Sequence, residues 1–217
     1  MKVINLGESN SILNRFVAEL RDKEIQKDSL RFRRNLERIG EIFAYEISKT
    51  LEYSPKEVTT PLGIANCTIP EENLILGTIL RAGIPLHNGM LNFFDKAQNA
   101  FIAAYRKYGK DNKFTIQIEY MSSPRIDGKT LVLTDTMLAT GSSVVLAYNK
   151  LCELGEPAHT HIVCPIASEY SLGYLSKQLP HKKVTLWVAA VDEELTNKSY
   201  IVPGIGDAGD LAYGNKL

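Results

Sequence analysis

One segment combines a carboxylate, small residues and hydroxyls in an order that suits a phosphorylated sugar. The apolar run Leu131–Thr134 ends at Asp135, and Thr140-Gly141-Ser142-Ser143 then precedes a helical pattern. Unpaired amides and the dipole at a helix N-terminus favour phosphate, whereas Asp135 would repel phosphate but accept hydrogen bonds from sugar hydroxyls. The segment therefore predicts a ribose 5-phosphate site, although the spacing alone also fits a capping turn without a ligand. Because no Lys follows the glycine, a P-loop NTPase is disfavoured.

The elements that must position this segment are predicted to form an open, mostly parallel α/β sheet flanked by helices. After residue 70, short apolar runs with little polar alternation are separated by helical patterns, which is typical of strands buried on both faces. These runs are Leu74–Leu80, Ala100–Tyr105, Leu131–Thr134, His161–Ile166 and Val184–Val191. Such sheets bind ligands beyond the carboxyl ends of their strands, so the loops that follow the runs should carry the chemistry.

Helical spacing predicts the elements around these strands. Residues 12–51 have a helical pattern, with Asp28 or Ser29 as the N-cap of a second helix, so residues 1–56 are interpreted as N-terminal helices. Pro85 suits the first turn of a helix, and a helix over Ser143–Leu154 is closed by Gly155.

Residues 107–127 break the parallel pattern and predict a β-ribbon flap. Apolar and polar residues alternate from Phe114 to Tyr120, as in an antiparallel ribbon with one wet face, and the polar stretch Lys107–Lys113 precedes them. The glycine-rich stretch Tyr200–Gly214 shows little periodicity. We name residues 192–214 the base segment, for the reason given below.

Composition limits the classes of function. The 217 residues suit one domain, and 25 basic against 25 acidic side chains disfavour a general polyanion binder. The one local exception is a basic cluster, which we interpret as a solvated helical face; it comprises Arg31, Arg33, Arg34 and Arg38. No apolar run approaches the ~20 residues that cross a bilayer. Three cysteines without a CxxC pair favour a cytoplasmic protein.

Four segments together resemble the type I phosphoribosyltransferases, and in particular the uracil phosphoribosyltransferase family. The segment from Leu131 to Ser143 is similar to the signature for phosphoribosyl pyrophosphate (PRPP). Ile79-Leu80-Arg81-Ala82-Gly83 is similar to the loop that binds pyrophosphate, and Tyr105-Arg106 matches a second basic contact. Tyr200–Asp210 resembles the segment that binds uracil. The segments occur in the family's order, and the resemblance covers most of residues 10–214.

The resemblance implies a role for each matched residue. Asp135, Arg106 and Arg81 are the implied catalytic residues. The implied PRPP contacts are Arg81, Arg106, Asp135, Thr136, Met137, Leu138, Ala139, Thr140, Gly141, Ser142, Ser143 and Asp207. The implied uracil contacts are Ile201, Gly206, Asp207 and Ala208. The resemblance also allows a strained or cis peptide near Arg81, and we expect Gly83 to let the backbone approach an anion.

Two positions depart from the family pattern. Thr136 stands where Pro is usual, and Ser142 stands where Gly is usual. Thr136 removes a rigid turn residue, and Ser142 adds a Cβ atom beside the expected phosphate. Because neither change removes a hydrogen-bond donor, we expect altered affinity and not lost activity.

The implied reaction converts uracil and PRPP to UMP and diphosphate. It implies Mg²⁺ held mainly by PRPP and water, with no metal ligand assigned in the chain. It also implies a homodimer or larger homo-oligomer, a GTP effector as in some relatives, and neither a nucleic-acid nor a membrane partner. One alternative is a phosphoribosyltransferase for another base, which should carry two adjacent acids where Asp135 stands alone. The other is a nucleotide-sensing regulator that binds RNA through the Arg31–Arg38 cluster.

Overall fold

A mostly parallel sheet forms the centre of the computed structural model, which describes residues 1–108 and 114–215, with only the backbone at 105–108 and 114–116. The strands are β1 (Lys2–Asn5), β2 (Tyr53–Thr60), β3 (Gly63–Pro70), β4 (Leu74–Leu80), β5 (Gln98–Tyr108), β6 (Phe114–Ser122), β7 (Thr130–Thr134), β8 (Met137–Leu138), β9 (His159–Val163), β10 (Ile166–Ser168), β11 (Val184–Val188), β12 (Ala190–Asp192), β13 (Glu194–Leu195) and β14 (Ile201–Val202). The helices are α1 (Ile12–Arg21), α2 (Ser29–Ser48), α3 (Ile84–Leu91), α4 (Ser142–Cys152), α5 (Glu169–Gln178) and α6 (Ala208–Tyr213).

Within the described residues the main sheet has the order β1-β11-β9-β7-β4-β5-β6, and only the β5–β6 pair is antiparallel. The predicted fold class is therefore confirmed. Strands β8, β10 and β12 form a smaller parallel sheet beyond the carboxyl ends of the main strands. The apolar runs predicted at 161–166 and 184–191 each divide between the two sheets, because Pro165 and Ala189 lie between their halves.

Both faces of the main sheet are buried, as the uninterrupted apolar runs predict. In β4, Leu74 and Leu76 pack into one hydrophobic cluster, and Ile75 packs into the cluster on the opposite face. Helices α1, α2, α3 and α6 supply side chains to the first cluster, and α4 and α5 supply them to the second. The strands therefore form a rigid layer from which the connecting loops project at one edge.

The N-terminal region contains the expected helices together with strands that the periodicity did not predict. Asp28 caps α2 by accepting from the amides of Leu30 and Arg31. Strand β1 pairs with β11 at the edge of the main sheet, and β2 begins at Tyr53, inside the range assigned to helices. Strands β2 and β3 form a largely exposed hairpin whose alternation is too weak to be recognised in the sequence.

The predicted ribbon exists as the antiparallel pair β5–β6, but its alternation does not hold throughout. The register shifts between Ala103, opposite Tyr120, and Ala104, opposite Ile118, so Glu119 is an additional residue in β6. Such a bulge reverses the faces beyond it, which leaves Tyr120 58% exposed while Ile118 and Met121 both pack inward. Part of the predicted polar stretch, residues 109–113, lies outside the described residues.

Candidate active site

Asp135 lies immediately after β7, at the carboxyl edge of the sheet. Its amide donates to the carbonyl of Val163, which follows the pairing of β7 with β9. Its carboxylate accepts from the amide of Thr136 at 2.7 Å. Burial raises the pKa of Asp135 to about 7, although the amides of Thr136 and Met137 act to lower it. The carboxyl group therefore titrates near neutrality, where a change in its surroundings has a large effect on its charge.

The Asp135 loop, residues 135–143, is anchored by backbone and side-chain contacts to the smaller sheet. Strand β8 within the loop pairs with β10, and the hydroxyl of Ser168 donates to the carbonyl of Ala139. The hydroxyls of Thr140 and Ser142 hydrogen-bond to each other at the start of α4. The Ser142 amide also donates to the Thr140 hydroxyl at 3.4 Å. The N-terminus of α4 therefore adjoins the loop, and a helix N-terminus is a position that suits a phosphate.

Several side chains of the Asp135 loop point into the protein. Thr136 is buried and its hydroxyl has no hydrogen-bond partner among the described residues. Leu138 is buried in the second hydrophobic cluster, and the partly buried Met137 packs against the first. Thr136 and Leu138 can therefore meet a substrate only through their backbones. Ser143 is part of the first turn of α4, and its side chain is half-buried.

Arg81 follows β4, next to the end of β7. The peptide bond between Leu80 and Arg81 is cis, which the resemblance allowed. A Cβ atom on Gly83 would lie 2.3 Å from the Thr78 hydroxyl and 3.2 Å from the Thr134 carbonyl. Glycine is therefore needed here because the loop packs closely on β4 and β7. This reason differs from the expected approach to an anion.

Arg81 connects this loop with the base segment. Its guanidinium lies 3.1 Å from the carboxylate of Asp210 and donates to the carbonyl of Gly214 at 3.4 Å. The side chain remains 41% exposed, so it can also reach a ligand in the cleft. The second predicted arginine, Arg106, lies in β5 opposite Ile116 in β6, and its side chain is outside the described part of the structure.

The base segment lies next to Arg81, which contacts its Asp210 and Gly214. Ile201 and Ala208 have their side chains in the hydrophobic core, so only their main-chain groups are available to a ligand. Gly206 is exposed and has φ +81°, a conformation that L residues rarely adopt. Asp207 is the N-cap of α6, where its carboxylate accepts from the amide of Asp210 at 3.1 Å. The stretch that lacked periodicity thus ends in a short helix.

Three residues that hold this segment had no recognisable signal in the sequence. Arg21 of α1 and Asp192 of β12 form an ion pair beside Gly204. Arg33 of α2 donates to the carbonyl of Ala212 at 2.7 Å and thereby fixes α6. Arg21 and Asp192 lie far from any motif and resemble ordinary surface charges in the sequence. Arg33 was assigned to a solvated helical face, which is wrong because its side chain binds a main-chain carbonyl.

The donor set suits a magnesium ion carried by its substrate. Within the described residues, no group of three or more His, Cys, Asp or Glu side chains could enclose a metal. Two carboxylates belong to the matched segments: Asp135 follows β7, and Asp207 caps α6. Mg²⁺ often keeps several waters and binds proteins through one or two carboxylates together with substrate phosphates, so these residues fit that cation.

Comparison with known proteins shows which family the chain belongs to. A family model described as uracil phosphoribosyltransferase matches residues 8–215. The chain belongs to this family. A uracil phosphoribosyltransferase of Porphyromonas gingivalis is 54% identical over 217 residues, which is all of both chains. One from Pyrococcus furiosus is 35% identical over 213 residues, 97% of this chain and 89% of that protein.

A solved structure of a protein from Aquifex aeolicus has the same fold. It superposes with a TM-score of 0.87 at 28% sequence identity, and the match covers 99% of each chain. The family resemblance inferred from the four sequence segments is therefore confirmed. Among the described residues, no helix is long and apolar enough to cross a membrane.

Proposed function

We propose that the protein transfers the 5-phosphoribosyl group of PRPP to N1 of uracil, giving UMP and diphosphate. The observation that carries this proposal is the meeting of three loops at one edge of the sheet. The Asp135 loop and Arg81 follow the adjacent strands β7 and β4, and Arg81 contacts the base segment through Asp210. This arrangement supports a single cleft for an activated sugar phosphate and its acceptor.

The two halves of PRPP have different partners in the proposed complex. The 5-phosphate binds the amides and hydroxyls at the start of α4, including those of Thr140, Ser142 and Ser143. Asp135 accepts hydrogen bonds from the ribose hydroxyls. Arg81 stabilises the negative charge that develops on diphosphate as the C1–O bond breaks, and Arg106 is assigned the same role by resemblance. Bound Mg²⁺ would neutralise phosphate charge beside the carboxylates of Asp135 and Asp207.

The acceptor is positioned by main-chain groups of the base segment. Uracil presents two carbonyl acceptors and one N3–H donor, which fixed amides and a carbonyl around Gly206 and Ala208 can recognise. Cytosine carries an amino group where uracil has a carbonyl, so a fixed amide there would lose its partner. In-line placement of N1 against C1 of the ribose then favours the displacement.

The alternatives have less support. Asp135 stands between Thr134 and Thr136, without the adjacent second acid expected of a purine or orotate enzyme. The basic cluster proposed for RNA is engaged within the protein. Arg31 and Arg34 pair with Glu19 and Glu37, Arg33 binds a main-chain carbonyl, and Arg38 lies against Asn35 and the Phe16 ring.

Assembly and regulation are further parts of the proposal. The exposed tip of the β2–β3 hairpin supports a homodimer or larger homo-oligomer, because Leu62 is 99% exposed and Ile64 is 68% exposed. A two-stranded hairpin is marginally stable alone in water, so packing against a second copy would stabilise it. Sedimentation of the double variant Leu62→Asp/Ile64→Asp should then show smaller particles than the wild type. Activation by GTP rests on the resemblance, and UMP formation with and without GTP tests it.

The three cysteines are free thiols, which supports the expected cytoplasmic location. The central test of function is turnover of PRPP with a panel of bases in the presence of Mg²⁺. We expect UMP from uracil and no nucleotide from cytosine, hypoxanthine or orotate. Turnover of hypoxanthine or orotate in place of uracil would contradict the assignment, and salt-dependent RNA binding without UMP formation would favour the regulator.

A further inference from the structure

A partly buried ion pair connects the first helix with the start of the base segment. Arg21 in α1 donates to both carboxylate oxygens of Asp192, at 2.8 and 2.7 Å. Asp192 is only 7% exposed, and the two residues are 171 positions apart in the chain. Two parallel, charge-assisted hydrogen bonds fix the relative orientation of both groups.

The same pair holds both polar backbone groups of Gly204. Arg21 donates to the carbonyl of Gly204 at 3.1 Å, and Asp192 accepts from its amide at 2.9 Å. Gly204 is buried, and it precedes the exposed Gly206 by two residues. The pair therefore determines the direction in which the chain enters the stretch Gly206–Ala208.

Asp192 is also connected to the Asp135 loop, through the smaller parallel sheet. It lies at the end of β12 in register with Ser168 of β10. Ser168 in turn donates to the carbonyl of Ala139 inside the Asp135 loop. The ion pair thus relates the backbone of the base segment to the site proposed for the sugar phosphate through one small parallel sheet.

We propose that Arg21 and Asp192 are positioning residues for the uracil acceptor, acting through the peptide groups of Gly204; this rests on the proposed binding of uracil by the base segment. Neither side chain needs to contact the substrate. A buried ion pair is weak evidence for a stabilising role, since apolar replacements of similar volume are often neutral or stabilising. What the pair supplies here is a fixed orientation of the main chain that must recognise the base.

The test separates the binding of uracil from the binding of PRPP. We expect Arg21→Lys and Asp192→Asn to raise KM for uracil by about tenfold to hundredfold, the size of effect that a small misplacement produces. KM for PRPP should change by less than about twofold, because Asp207 is the one residue assigned to both substrates and the other PRPP contacts lie in the Asp135 loop and at Arg81 and Arg106. Arg15→Lys is the matched control, since Arg15 lies on the same helix, pairs with Glu19 and keeps a side chain that is 68% exposed.

Coupling between the two residues provides a second measurement. The double variant Arg21→Lys/Asp192→Asn should raise KM for uracil no more than the worse single variant, because either change already releases Gly204. A third variant, Arg21→Met/Asp192→Leu, replaces the pair by apolar groups and is expected to remain folded. It should still show the higher KM for uracil.

Two outcomes would overturn the proposal. One is a folded apolar double variant whose KM for uracil equals that of the wild type, and the other is an equal loss of affinity for both substrates. The variant Gly206→Ala shows whether such a result contradicts only the positioning role of Arg21 and Asp192 or also the assignment of the base segment to uracil. If Gly206→Ala raises KM for uracil and the pair variants do not, only the positioning role fails; if none does, the base segment itself is wrongly assigned.

Discussion

The two sides of the cleft are held in different ways. The Asp135 loop continues a central strand, and the pairing of β8 with β10 holds its backbone. The base segment contains the short pair β13–β14, and its apolar side chains pack in the core while Asp210 contacts Arg81. Among the described residues, long side chains from α1 and α2 also hold its backbone. These side chains are Arg21, which reaches Gly204, and Arg33, which reaches Ala212.

The position of the Asp135 loop is thus determined by neighbouring strands, and that of the base segment by residues distant in the sequence. A loop that extends a parallel sheet takes its position from the strands beside it, so variants far away should leave it intact. A segment held by side chains from distant helices depends on a few individual residues. We therefore expect the two sides of the cleft to respond to different substitutions and with different kinetic signatures.

The largest expected effect is on the sugar-phosphate side. Asp135→Asn should lower kcat/KM for PRPP by about two to three orders of magnitude, the size of effect seen when one preorganised group is removed. The reason is that a neutral amide accepts more weakly from the ribose hydroxyls than a carboxylate does. Steady-state kinetics of UMP formation measures this, and near-normal turnover would contradict the role assigned to Asp135.

The same variant gives a control on folding. The pKa of Asp135 is about 7 in the folded protein against an ordinary value of 3.8, so ionisation disfavours the folded state. The wild type should therefore lose stability relative to Asp135→Asn as the pH rises from about 4 to about 7. Urea unfolding at several pH values checks this; loss of structure in the variant at pH 7.5 would count against a purely functional effect.

Arg81 lies between the two sides, so its removal tests whether they act together. We expect Arg81→Ala to lower kcat by about a hundredfold through loss of charge stabilisation on diphosphate. Asp210→Asn removes the carboxylate charge beside Arg81 and should have a much smaller effect. A larger loss in Asp210→Asn than in Arg81→Ala would show that the ion pair, and not contact with diphosphate, explains the importance of this arginine.

On the base side, adding one methyl group at Gly206 should weaken the binding of uracil. A Cβ atom on Gly206 would have space, with its nearest neighbours at 3.8 Å, but φ +81° disfavours any L residue. The strain is about 1–2 kcal/mol, so Gly206→Ala should raise KM for uracil by about tenfold. KM for PRPP should remain as in the wild type, and a parallel rise in both constants would remove the distinction between the two sides.

The smallest expected effect concerns the unusual residue at position 136. The Thr136 amide donates to Asp135 and thereby lowers its pKa, whereas Pro has no amide hydrogen to donate. In the wild type, kcat/KM for PRPP should fall as the pH drops through about 7, because Asp135 becomes protonated. In Thr136→Pro this acid limb should move upward by about one pH unit. Ser142→Gly is the matched control, and the acid limb of its pH profile should stay where it is in the wild type. If the acid limb of Thr136→Pro also stays in place, the Thr136 amide does not set the pKa of Asp135.

The sequence predicts the sugar-phosphate side well because the relevant signals are local. A buried run, an acid, a small-residue turn and a helix start follow one another within thirteen residues, Leu131–Ser143, and each has a physical meaning on its own. The strand ends and the order of the loops then follow from the parallel sheet. The interpretation as a single domain over residues 1–217 stays a prediction, as do the individual contacts with PRPP and uracil.

The sequence predicts the base side poorly because its determinants are long-range. Nothing near Arg21 indicates a partner at Asp192, and charged residues at a helix end are usually solvated. The bulge at Glu119 and the pairing of β1 with β11 could not be predicted for the same reason, since both depend on the register between different strands. For Gly83 the structure adds a reason that the sequence does not show, because the loop packs closely on β4 and β7; the approach of its backbone to an anion stays a prediction.

The contact between Arg21 and Asp192 also affects the order in which the molecule is completed during synthesis. Helix α1 emerges from the ribosome early, but its partner follows 171 residues later, and contacts of such separation close late. A nascent chain that has passed α5 already contains β8 and β10, which hold the Asp135 loop, but it still lacks Asp192 in β12. On the proposed assignment, the uracil side of the site is therefore completed after the sugar-phosphate side.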